Sequence, residues 1–196
     1  MINIFYNKTT LNNAMTISVS SQPVDRIIKE KKFSILYNDN SLVGINIWDF
    51  DQYANIKQGM IYADNKILEM IKKITQIDLS EYVEKNFTVG KITKLEKIPN
   101  THLHYCDVDI KEKTLKIICG ASNVAIDSKV VVAMVNTAMP DGKMILKSNI
   151  QGKVSLGMLC SKKELNLNKD NNEKGIMLLD KNYEIGDLFI EPFANK

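Results

Sequence analysis

Three side chains with metal-binding chemistry, His102, His104 and Cys106, stand two residues apart in HLHYCDVDI. On one strand that parity would bring three donors to one face. The parity runs on through Val108 and Ile110, however, so Cys106 reads as barrel core, with the histidines at the mouth of a turn, and no metal is expected. A second candidate is GKVSLG, Gly152 to Gly157, where Ser155 superficially matches a nucleophile elbow. The elbow needs Gly-x-Ser-x-Gly between strand and helix, whereas this spacing is Gly-x-x-Ser-x-Gly. Only His102 and His104 could serve Ser155 as a base, and no motif places an acid to orient either. Phosphate loops of the GxxxxGK[ST] and GxGxxG kinds are absent. No catalytic residue and no cofactor is expected, and the chain does not read as an enzyme.

Charge placement points instead to binding. Lys143, Lys147, Lys153, Lys162 and Lys163 follow one another without an intervening acid, a local field that attracts a polyanion. Residues 1–86 hold ten basic and ten acidic side chains, against sixteen and thirteen in 87–196, so the net charge of +3 arises in the second half. Arg26 is the sole arginine among the 26 basic residues, which removes most bidentate phosphate or guanine forks. The aromatic residues of the second half, Phe87, Tyr105, Tyr183, Phe189 and Phe193, read mostly as core. That favours recognition of a folded RNA's backbone over stacking along an extended strand.

These residues need elements to hold them. The 196 residues, 44% hydrophobic and 25% charged, can form one large domain or two small ones and exclude disordered and disulfide-scaffold classes. No apolar run is long enough for a membrane span and no signal core follows Met1, so a cytoplasmic protein without a membrane partner is expected. Cys106, Cys119 and Cys160 form no CxxC pair and read as reduced, packed thiols. Short apolar runs at Ile2 to Tyr6, Ala14 to Ser20, Phe33 to Tyr37 and Leu42 to Phe50 predict strands. DNKILEMIKKITQID has helical spacing with Asp64 as cap, and a second short helix is expected from Ser80 to before Phe87. The first 86 residues therefore read as a small α+β domain with no recognisable site. From Phe87 the runs FTVGKITKLEKI, HLHYCDVDI, LKIICG and VVVAMV, with a PDGK turn, predict a small barrel of five or six strands over 87–196. Ser161 and Glu164 form a capping box predicting that SKKELNL opens a short helix beside Lys162 and Lys163.

Taken in order, FTVGKITKLEKIPN, LHYCDVD, IICGASNV and ILKSNIQGKVSLGMLCSKKEL resemble the tRNA-binding OB-fold domain. That domain occurs in bacterial phenylalanyl-tRNA synthetase beta chains, methionyl-tRNA synthetases and free-standing proteins of the EMAP-II type. With about 85 preceding residues, the whole chain resembles the YtpR-type free-standing family. The resemblance implies a five-stranded OB barrel and tRNA as partner, without aminoacylation, and leaves a homodimer open. It also implies that Asn100 and Asn123 shape the loops framing the mouth and that Ser155 and Met158 line the RNA-facing surface. Lys143, Lys147, Lys153, Ser161 and Lys162 complete the expected RNA-binding set. Two departures stand out. The turn Ile98-Pro99-Asn100-Thr101-His102-Leu103-His104-Tyr105-Cys106 is one residue shorter than the family's and lacks its lysine, a contact either lost or handed to His102, and Gln151 replaces the family's arginine before Gly152. Such losses leave a second reading, a protein-interaction scaffold whose barrel no longer holds RNA.

Overall fold

The computed structural model describes residues 1–167 and 174–189. The chain divides into two compact units, one of Met1–Glu84 and one beginning at Lys85.

The first unit is an antiparallel sheet of β1 (Asn3–Asn7), β2 (Ala14–Ser18), β3 (Arg26–Lys29), β4 (Phe33–Asn38), β5 (Ser41–Ile47) and β6 (Gly59–Ile61). The strands lie in the order β3-β4-β5-β2-β1-β6. Alternation puts Ile4, Met15, Ile17, Ile45 and Ile47 on one buried side, and helix α1 (Asn65–Thr75) adds Ile67 and Ile71 to that core. The helix starts where the carboxylate of Asp64 accepts the Ile67 amide at 2.8 Å and stops at Gln76, which turns left-handed at φ 60°. The second expected helix is only a single 3-10 turn, Ser80–Tyr82, in which Asp78 takes the Ser80 amide. Two strands were not anticipated: β6, three residues long, and β3, whose four residues are all exposed.

The second unit is a mainly β, barrel-like OB fold. Its strands are β7 (Phe87–Lys97), β8 (His104–Asp109), β9 (Thr114–Cys119), β10 (Lys129–Met134), β11 (Ser148–Ile150), β12 (Lys153–Ser155), β13 (Gly157–Leu159) and β14 (Leu178–Leu179). Five form an antiparallel sheet in the order β13-β10-β7-β8-β9, with β14 also on β10. A register shift between Ile92 and Lys94 bends the long β7, allowing one strand to serve both halves of the curved sheet. The two sheet ends then meet. Leu156 donates its amide to the Lys116 carbonyl on β9 at 2.8 Å, and the Ile118 amide donates to Ser155 Oγ at 3.0 Å. Gly157 makes this junction possible. Its φ is 151°, and a Cβ there would lie 2.8 Å from the Ala133 carbonyl oxygen. Inside, Ile92, Cys106, Val108, Ile117, Val130 and Val132 form the core.

The capping box at Ser161 forms, but the expected helix does not. Glu164 takes the Ser161 amide at 2.7 Å and Ser161 Oγ accepts the Glu164 amide at 3.2 Å, and the chain then leaves helical geometry at Asn166, φ 56°. Lys162 and Lys163 therefore stand in a turn rather than at a helix start.

Candidate nucleic-acid interface

Strand parity decides which side chains of the barrel face outward. Because Cys106 and Val108 point into the core, Tyr105 and Asp107 point away from it. The strand register carries Glu96 on β7 opposite Tyr105, and Lys116 on β9 opposite Asp107. Hairpin β11–β12 folds over this face and is tied down where Tyr105 donates its hydroxyl to the Val154 carbonyl at 3.1 Å. The result is a cluster around one ring. Lys153 Nζ lies 4.6 Å and Lys116 Nζ 5.8 Å from the Tyr105 ring centroid. Lys153 pairs with Glu96 at 2.9 Å, and Lys116 with Asp107 at 2.6 Å. The Lys153 hydrogen bond, supported by the charges of Lys94 and Lys116, holds the Glu96 carboxyl below its usual range. Asp107 in turn pushes the Lys116 ammonium pKa up. Both lysines are held in place by the ring and the carboxylates.

The hairpin tip carries Gln151 and Gly152, both at positive φ, 51° and 75°, the geometry of a two-residue turn between antiparallel strands. Gln151 is exposed there. Lys153, which has no acidic neighbour along the sequence, has a partner in Glu96, 57 positions away. Ser155, expected to line the RNA surface, is buried, with 4% of its surface exposed. Its hydroxyl accepts from Ile118 and donates to the Gly157 carbonyl at 3.1 Å, so it ties β12 to β9 and to the start of β13.

The remaining expected residues are spread over the unit. Asn100 sits left-handed at φ 60° in the β7–β8 turn, followed by the exposed His102. Asn123 ties its loop to Ile176: its side-chain amide both donates to and accepts from the Ile176 backbone at 2.9 Å. Met158 is half-buried on β13 opposite Ala133, and Ser161 is engaged in its capping box. Lys143 and Lys147 are exposed before β11, with no ion pair among the described residues, and Lys162 is half-buried. Thus the structure gathers Lys153 with Tyr105, Glu96, Lys94 and Lys116, and leaves Lys143 and Lys147 outside that cluster.

Tyr105, Lys94 and Lys116 were missed as surface residues. The signal was present, since the alternation that puts Cys106 inside puts its neighbour Tyr105 outside. Phe87 and Phe189 are buried as expected, and Phe193 lies outside the described residues. Among the described residues, no three His, Cys, Asp or Glu side chains are grouped to hold a metal. Burial pushes the Cys106 thiol up to about 12 and raises Cys160 further, so neither is a nucleophile at neutral pH.

Comparison with known proteins bears on the whole chain. Residues 87–188 match the family model described as "Putative tRNA binding domain". Over its full length the chain is 35% identical to the Mycoplasma genitalium protein called "Uncharacterized protein MG449", covering 90% of that relative. It is 34% identical over 96% of its length to the Bacillus subtilis "Putative tRNA-binding protein YtpR", covering 99% of it. The Rickettsia prowazekii phenylalanine–tRNA ligase beta subunit is 42% identical over 60% of this chain, which covers 14% of that larger subunit. With one family model spanning the barrel and relatives matching both units end to end, the chain belongs to the tRNA-binding-domain family, in its free-standing YtpR-type form.

Proposed function

We propose that this protein binds tRNA, carries out no reaction on it, and does so on the barrel face around Tyr105. The family match over 87–188 carries the choice of partner. The face supports it physically. OB folds offer the exterior of their second and third strands as a nucleic-acid platform, and here those strands are β8 and β9. Tyr105 supports two ammonium groups at a fixed spacing, which suits phosphates on a folded RNA better than a run of stacked bases. Gln151 at the hairpin tip and exposed Lys147 extend the surface, while Ser155, Asn123 and Ser161 position the loops and strands that carry it.

A fluorescence anisotropy titration of the full chain with bulk tRNA tests this. Neutralising about three to five phosphates gives a slope of log affinity against log salt of about −2 to −4.5. Saturable binding with such a slope is the expected outcome. A failure to saturate by about 100 μM, the weak end of ordinary non-specific binding, would favour a protein-interaction scaffold instead.

A further inference from the structure

The first unit contains a cleft of about 720 Å³ that the tRNA-binding reading does not use. That volume lies within the roughly 300–1,000 Å³ typical of small-molecule sites. Its floor is apolar and aromatic: Phe33 opens β4, Tyr53 follows the 3-10 turn Phe50–Gln52, and Met70 and Ile74 come from α1. All four are half-buried, so the floor is open to a ligand. Four lysines rim it. Lys31 and Lys32 come from the β3–β4 turn, and Lys66 and Lys73 stand on the same face of α1 as Met70. Only Glu30 and Glu69 oppose them, leaving an excess of positive charge.

Those lysines are not neutralised by neighbours. Among the described residues none of the four is in an ion pair, whereas Lys72, on the same helix but away from the cleft, is paired with Asp78 at 2.5 Å. Lys32 Nζ rests over the Tyr53 ring, 5.3 Å from its centroid. On an exposed side chain that contact is weaker than base stacking, so a flat ring arriving on Tyr53 displaces the ammonium toward the solvent edge. An apolar floor with an aromatic face and a rim of unpaired cations matches a nucleoside phosphate, apolar at one end and anionic at the other.

We infer that this cleft binds a single unpaired nucleotide, its base on Tyr53 and Met70 and its phosphate on Lys32, Lys66 and Lys73. The nucleotide could be free or part of an RNA strand, and the inference holds whether or not the barrel binds tRNA. The experiment uses the full chain with isotope-labelled methionine methyl groups, the Met70 signal being assigned with Met70→Leu. It is titrated separately with AMP and with an unstructured hexa-adenylate. Saturable movement of the Met70 methyl is expected with at least one of them. Equal responses to both assign the cleft to free nucleotide, and a much tighter hexamer response assigns it to an unpaired RNA segment. Lys66→Glu combined with Lys73→Glu should weaken binding at least tenfold with unchanged circular dichroism. Lys32→Ala provides the same test from a different element, and Lys116→Glu on the barrel should leave the Met70 response intact. No movement of Met70 at millimolar concentration of either ligand, or movement that survives all three cleft substitutions, would overturn the inference.

Discussion

The barrel face and the N-terminal cleft both present lysines beside a tyrosine, but they hold them differently. On the barrel, Lys153 and Lys116 are each tied to a carboxylate and brought close to one ring. In the cleft, Lys66 and Lys73 stand exposed on one helix face, and Lys32 Nζ lies over the Tyr53 ring without an ion pair among the described residues. Pairing fixes an ammonium in position and lowers the ordering cost when a phosphate arrives, but it also cancels much of the field. Unpaired lysines attract more strongly at a distance and must be ordered on contact. The barrel therefore favours a large ligand that touches many fixed points, and the cleft a small one drawn in by charge.

The largest effect comes from breaking the frame that fixes the barrel's lysines. Gly157 has a backbone that other residues rarely adopt, and its missing Cβ leaves room for the Ala133 carbonyl. Gly157→Ala should cost about 3 kcal/mol through combined backbone strain and overpacking, read by urea unfolding. It should also weaken tRNA binding, because Leu156 and Ser155 hold hairpin β11–β12 against β9. The Met70 response should survive, as Gly157 belongs to the other unit. A variant as stable as the parent would show that the junction accommodates a side chain.

Next comes the identity of the lysines. Lys116 and Lys147 are both exposed, but only Lys116 belongs to the Tyr105 cluster. Lys116→Glu should weaken tRNA binding about tenfold or more, each tenfold being roughly 1.4 kcal/mol, and Lys147→Glu should do less. The reverse order, measured by anisotropy on variants with normal circular dichroism, would move the interface toward the segment before β11. Lys116→Glu sets a second carboxylate against Asp107, as Lys153→Glu would against Glu96, so Lys116→Gln, which removes the charge without that repulsion, should show the same order in a weaker form.

That choice of lysine marks the limit of what the sequence made legible. Helix α1 and strands β4 and β5 followed from local periodicity and from the Asp64 cap, which depend on neighbours a few residues away. Edge strand β3 did not, because RIIK has two adjacent apolar residues and buries neither, so it lacks the alternation that marks a strand packed on a core. The helix expected at SKKELNL had its start signal at Ser161 and lost its continuation at Asn166. At the interface, parity was sufficient to place Tyr105 outside. The partnership of Lys153 with Glu96 was not legible, because it depends on hairpin β11–β12 folding across β7 and β8, a tertiary event with no local signature.

The smallest effect tests the pairing itself. Glu96→Gln keeps the shape of the side chain and one acceptor oxygen while removing the charge that holds Lys153. If pairing mainly cancels field, the variant should bind tRNA about two- to threefold more tightly at low salt, an advantage that fades as ions screen the face. If pairing mainly orders Lys153 for a phosphate, the variant should bind more weakly, and the barrel's fixed lysines would be the source of its affinity. Acid offers a second reading of the same pair. Folding lowers the Glu96 pKa, chiefly through the Lys153 hydrogen bond. Its contribution to stability is therefore complete above the ordinary glutamate range and is lost as pH falls through the lowered folded value. The parent should thus show an acid-dependent loss of stability that is smaller in Glu96→Gln, measured by thermal unfolding below pH 5. An identical acid profile in both proteins would mean that the Lys153–Glu96 contact adds nothing in solution, and the comparison between paired and unpaired lysines would then rest on Lys116 and Asp107 alone.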